Sequence, residues 1–367
     1  MKQKPPFVVV LVLTLGLTSP YSVSARSKTE WLGYSTPHFT VLAKGHQDRG
    51  REVIERLEMA RQYFQKTGWV ERDSAQGPLE LLAFYTDEEF ESYRPHESAY
   101  AFYQRGRRGD YIVMRDLEPE HDSVAIHEYT HSVVEHSGLN LPLWLHEGLA
   151  DFYSTVECRQ AKVLLGAAPE GRDLILQNRR WLDWAVLTAV DRDSPYYRQP
   201  EKMLLFYGQS WAMVHMLAME PAYAAAFPQF LAAVSGGATA DAALLAIYHE
   251  TLRQVGGEVA GYVRSKRMKA RWVSVDARPR SLETQVVAEP GKRAEFDLAE
   301  VLAANPETAA EAKTRLVALS ARYPSDPRAK ESLGFLAMDA GFEKEAQQDF
   351  ADAAAALAHG KRATDRP

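Results

Sequence analysis

Residues 121–153 read His-Asp-Ser-Val-Ala-Ile-His-Glu-Tyr-Thr-His-Ser-Val-Val-Glu-His-Ser-Gly-Leu-Asn-Leu-Pro-Leu-Trp-Leu-His-Glu-Gly-Leu-Ala-Asp-Phe-Tyr. The pattern predicts two consecutive helices. On a helix, residues i and i+4 share a face, so His127 and His131 can point at one ion. Asp122 or Ser123 is placed to cap the first helix, and Gly138 to end it. Zinc accepts imidazole nitrogen well, and a catalytic zinc takes three protein ligands and keeps one position open. Glu128 stands beside the first histidine, where its carboxylate can take a proton from a water at that position. The second helix has Pro142 near its start and carries Glu147 and Asp151, again at i and i+4. A metal-bound histidine usually donates its other N–H to a carboxylate, and Asp151 is placed to accept one. With 11 histidines in the chain a chance His-Glu-x-x-His has to be weighed, so the surrounding sequence decides.

Upstream, residues 31–115 read as alternating strand and helix. His38 to Ala43 is an expected strand. Val53, Ile54, Leu57, Ala60 and Phe64 recur at helical spacing, and Gly68 stops the run. Leu79 to Tyr85 is a continuous apolar strand, and Thr86-Asp87-Glu88-Glu89 opens a short helix with acids at its positive end. Ala99 to Gln104 and Asp110 to Arg115 flank Gly106-Arg107-Arg108-Gly109, which signals a hairpin. The expected fold class is α+β: a small mixed sheet with the histidine helix, then a mainly helical subdomain and a short helical tail.

Downstream, residues 116–275 are expected to be mostly helical. Residues 203–219 are apolar nearly all round and predict a buried helix. Residues 276–290 have no clear period, hold Pro279 and Pro290, and read as a linker. In residues 291–360, Leu333, Gly334, Gly341, Ala346, Phe350 and Ala353 stand at the offsets of a tetratricopeptide repeat. Ala312, Leu316 and Pro324 match one repeat earlier. The tail therefore resembles a short helical repeat, and a protein partner bound there is one expectation. A plain pair of alanine-rich helices is the alternative.

Lys2 and Lys4, the apolar run Phe7 to Leu17 and the small-residue site Val23-Ser24-Ala25 read as a signal peptide, residues 1–25, cut after Ala25. The run is short for a membrane span, so no stable insertion is expected after cleavage. A periplasmic or secreted location follows. The expected divisions are then 1–25, 26–115, 116–275, the linker 276–290 and the tail 291–360. Cys158 is the one cysteine, which excludes an intrachain disulfide and a cysteine-ligated structural zinc site. The net charge of −6 is spread among interspersed charges, so no nucleic-acid partner is expected.

His127-Glu128-Tyr-Thr-His131, followed by Glu147-Gly-Leu-Ala-Asp151, resembles the gluzincin clan of zinc peptidases, to which thermolysin and the zinc aminopeptidases belong. Trp144-Leu-His-Glu-Gly-Leu-Ala is similar to the aminopeptidases' Trp-Leu-x-Glu-Gly-Phe-Ala. The likeness is nearest to exported bacterial proteins with a peptidase-MA-like domain and covers roughly residues 35–270. It implies that His127, His131 and Glu147 bind Zn2+, that Glu128 is the general base, and that Asp151 orients a ligand histidine, His127. It also implies an oxyanion donor, for which Tyr207 in Tyr-Gly-Gln-Ser-Trp is the candidate, with Gln209 where the aminopeptidases have Lys. A buried tyrosine in the core is the other reading of Tyr207, and His215 reads as a satisfied core histidine. The third-ligand spacing is shorter than in either named group.

Other zinc patterns fit less well. A metzincin would need histidine at Ser137 and glycine at Val134. His136 lies off the face of His131, and His146 is expected to point away from Glu147. The aminopeptidase Gly-x-Met-Glu-Asn segment is absent upstream. In gluzincins a sheet-edge strand pairs with the substrate backbone, and residues 111–114 are the candidate. The expected activity is a zinc peptidase acting on a protein or peptide. The rival expectations are an envelope binding module with a structural or vestigial metal site, and a zinc hydrolase of a non-peptide amide.

Overall fold

A computed structural model of the protein describes residues 30–45, 49–69, 77–96, 99–159, 162–169, 171–265, 268–274 and 283–364. The expected signal peptide lies outside the described residues. Among them, no helix is long and apolar enough to cross a membrane.

The fold is α+β. The first strands are β1 (Trp31–Ser35), β2 (Phe39–Lys44), β3 (Leu79–Ala83), β4 (Ala101–Arg105) and β5 (Asp110–Met114). A second sheet follows, with β6 (Glu157–Arg159) and β7 (Lys162–Leu165) beside β8 (Arg271–Ser274). The main sheet is completed by β9 (Gln285–Val286), which pairs antiparallel with β1. Its order is β4-β5-β3-β2-β1-β9. The β2–β3 and β3–β5 pairs are parallel, and β4–β5 is the expected antiparallel hairpin.

Alternation along each strand sends neighbours to opposite faces. Val41, Leu81 and Ile112 meet the helix Arg49–Lys66 and the helix that bears His127. Leu42, Leu82 and Val113 pack instead on Ala294, Leu298 and Val301 of the helix Pro290–Ala303. This covering helix buries the sheet on both sides, which is why apolar residues stand on both faces of its central strands, broken by Thr40 in β2 and Glu80 in β3.

Two expectations change. The linker 276–290 contains β9, a strand of the main sheet, and the covering helix that opens the tail is a layer of the N-terminal unit. The stretch 116–275 is mostly helical and also supplies the short strands β6, β7 and β8. Residues 111–114 are not at the edge: β5 lies between β4 and β3, and β4 is the edge strand. The hairpin puts its first strand outermost because β5 pairs parallel with β3 on its other side.

Candidate metal centre

The motif helix spans Asp122–His136 and the glutamate helix Leu143–Ser154. Gly138, at φ 74°, turns the chain after the motif helix, and Pro142 takes the N-cap of the next one, as expected. Asp122 does not cap its helix. It is the first helical residue and pairs with Arg49 and with Arg56, at 3.2 Å, which ties the motif helix to the helix Arg49–Lys66.

The glutamate helix is pressed against the long helix Pro200–Met219, whose middle is fully buried. Gly148 permits this approach: a Cβ there would stand 2.6 Å from the Ser210 carbonyl oxygen. On that helix Gln209 is a structural residue, bonded to both the N–H and the carbonyl of Leu182. His215 is the satisfied core histidine expected, held between the Gly166 carbonyl at 2.8 Å and Tyr262 OH at 3.0 Å.

His127, His131 and Glu147 converge, with one potential ligand atom of each within 4.8 Å of the others. Glu147 Oε2 lies 3.3 Å from His127 Nε2 and 3.5 Å from His131 Nε2. This buried oxygen has no hydrogen-bond partner. Donors that surround one tetrahedral ion at about 2.0–2.2 Å stand about 3.3–3.6 Å apart, so the spacing is that of a shared cation. An orphaned buried carboxylate oxygen between two imidazoles is otherwise costly. The three side chains therefore form a group that can hold a metal ion.

The rings are fixed from behind. Asp151 Oδ1 is 3.2 Å from His127 Nδ1, as the resemblance implies. Asp151 is itself gripped by Arg172, whose Nε lies 2.7 Å from Oδ2. His146 does not point away from the site. Its Nδ1 lies 2.9 Å from His131 Nδ1, so it is a partner of a metal-ligand candidate rather than a ligand. Tyr197 OH donates to Glu147 Oε1 at 3.2 Å. His136 is no ligand either: it pairs with Asp110.

The electrostatics follow. Burial disfavours charge on His127, but the Asp151 and Glu147 carboxylates outweigh it and hold the imidazole up at about 10. Burial would raise the Glu147 carboxyl, yet His131 and His127 hold it well below the usual carboxylate range. Burial pushes Glu128 up, against the pull of His131 and His127. Burial, helped by nearby His131, pushes His146 down to about 4, leaving a neutral ring.

A cleft of about 750 Å³ opens over these groups. Glu128 lines it beside His127 and His131, and β4 forms one wall from Ala101 to Arg105. Tyr207 also lines the cleft, its ring 6.2 Å from that of His127 and stacked on Tyr197. It is half-buried, packed against the main core on one side and lining the cleft on the other. Sequence reasoning missed Arg172, Tyr197 and the part played by His146. The first two have no motif around them, and the third was legible only as the neighbour of Glu147. No family model matches the chain, and no curated protein matches it.

Proposed function

We propose that the chain is a zinc metallopeptidase of the gluzincin type. The observation that carries this reading is the unpartnered Glu147 Oε2 set between the Nε2 atoms of His127 and His131, beneath a cleft walled by an open strand edge. Two imidazoles and a carboxylate suit zinc and leave a position open. Zinc, when bound, lowers the pKa of water and polarises a carbonyl.

His127, His131 and Glu147 would hold the ion, with Asp151, Arg172 and His146 fixing the two rings. Glu128 accepts a proton from the attacking water and passes it to the leaving amine. Tyr207 donates to the oxyanion that forms at the scissile carbonyl. Edge strand β4 has no strand partner on its outer side among the described residues and offers that side to an extended substrate backbone, with the Tyr103 N–H already turned to Glu128. This open edge favours a polypeptide over a compact non-peptide amide. The N-terminal residues 1–25 support export to the periplasm or secretion.

The test is metal analysis together with Glu128→Gln. About one zinc per chain is expected in parent and variant. Hydrolysis of a protein substrate should fall about 10²–10⁴-fold in the variant. Purified protein without stoichiometric metal overturns the reading, as does cleavage confined to cell-wall amides.

A further inference from the structure

An edge strand has a backbone neighbour on one side only, so side chains must supply the rest of its positioning. Strand β4 is anchored on both faces. Toward the motif helix, Tyr103 OH donates to Asp110 Oδ2 at 2.8 Å, and His136 pairs with the same oxygen. The next residue points the other way: Gln104 Nε2 donates to the Val301 carbonyl of the covering helix at 2.8 Å.

The hairpin turn extends this outer contact. Arg107 pairs with Asp339, and its guanidinium lies 5.1 Å over the Phe335 ring. Arg108 Nε lies 3.0 Å from Glu300 Oε1, and the same guanidinium pairs with Glu331. From β5, Tyr111 OH donates to Glu300 Oε2 at 2.6 Å. Ser332 Oγ donates to Glu300 Oε1 at 3.2 Å. Glu300, only 8% exposed, thus joins the turn, strand β5 and the helix Arg328–Asp339 at one carboxylate.

We infer that the C-terminal helices set the position of β4 in the cleft, and that Glu300 and Arg108 are positioning residues for the substrate backbone. This rests on the reading of β4 as the strand that receives substrate. Buried charge-assisted bonds to one carboxylate are strong and directional, and they restrain the hairpin where β-pairing is one-sided. Loosening them should weaken substrate binding and leave the chemistry at Glu128 untouched. A merely stabilising contact would not separate the two.

The test uses the full chain with Arg108→Ala and Glu300→Ala. Hydrogen exchange over residues 101–114 should quicken about 5–10-fold while residues 53–64 are unchanged. Zinc content should stay the same. For a peptide substrate, KM should rise about 5–10-fold with kcat within about twofold of the parent. Unchanged exchange over 101–114, or a fall in kcat at constant KM, overturns the inference. A surface pair covers the case in which Glu300→Ala does not fold. Arg107→Glu should quicken the same exchange, and Arg107→Glu with Asp339→Arg should restore it; no restoration counts against the inference. If the parent cleaves no peptide, the peptidase reading fails, and the exchange arm still decides whether these helices hold the strand.

Discussion

His131 and His146 face each other through their Nδ1 atoms at 2.9 Å, with ring centroids 5.0 Å apart and planes within 28° of parallel. One of the two nitrogens carries the proton. A metal-ligand His131 needs its Nε2 lone pair free, so its Nδ1–H donates and His146 accepts. The acceptor is thus a neutral ring where a carboxylate serves His127.

His146→Ala should weaken metal binding by about 10-fold or more, the usual cost of losing such an outer partner. His146→Asn, which keeps an acceptor, should lose less. Competition with a coloured chelator measures both. Equal affinities for parent and His146→Ala would show that the contact does nothing for the metal.

Tyr197 and Tyr207 stack on each other with ring centroids 6.4 Å apart, yet their roles should separate. On the proposed mechanism Tyr207→Phe removes the oxyanion donor, and it should lower kcat about 10²-fold with KM and metal content unchanged. Tyr197→Phe removes the hydrogen bond to Glu147 Oε1 and should speed metal loss to a chelator instead. Steady-state kinetics and chelator competition on both variants distinguish the roles; identical profiles would contradict them.

Gly148→Ala should destabilise the protein by about 1–3 kcal/mol, because the added methyl meets the Ser210 backbone and the short, β-branched Val214 side chain, neither of which can swing away. The glutamate helix would have to shift, so metal affinity should fall with stability. Urea unfolding of the apo and metal-loaded forms measures the two losses. An unfolding midpoint equal to that of the parent would count against the close helix contact.

The carboxyls of Glu80, Asp297 and Glu300 are all pushed up, by burial first, despite Arg293, Arg108 and Arg328 nearby. Folding therefore raises their proton affinity. The native state binds more protons than the unfolded chain above the ordinary carboxyl range, so this contribution is full below about pH 4 and declines as pH rises toward neutrality. Asp326, which Arg328 holds at about 2 against the pull of burial, acts in the opposite sense. The comparison is accordingly between parent and Asp297→Asn at each pH. The variant should gain about 1 kcal/mol at pH 7.5 and less at pH 4.5. Equal destabilisation at both values would refute the assignment.

Much of the centre was legible because its chemistry is local. The i, i+4 spacing of His127 and His131 fixes a shared face, and the glutamate helix follows after a short turn. Glu147 and Asp151 converge on the histidines through that single helix packing. Arg172 and Tyr197 come from segments with no period or motif, so only tertiary packing reveals them. The edge was misassigned because a hairpin signal does not say which strand faces the rest of the sheet. The adjacent apolar pairs Leu81-Leu82 in β3 and Ile112-Val113 in β5 already implied two covered faces. Nothing in the period of residues 276–290 told that the second cover lies beyond them.

That second cover has a consequence for the order of synthesis. Leu42, Leu82 and Val113 emerge early, yet their packing partners Ala294, Leu298 and Val301 come nearly two hundred residues after Val113. A nascent chain that has already made both helices of the candidate metal centre still carries one bare apolar sheet face. The polypeptide is therefore kept from completing its cleft until its last quarter arrives, and a chain cut at residue 275 should aggregate rather than fold as a smaller domain.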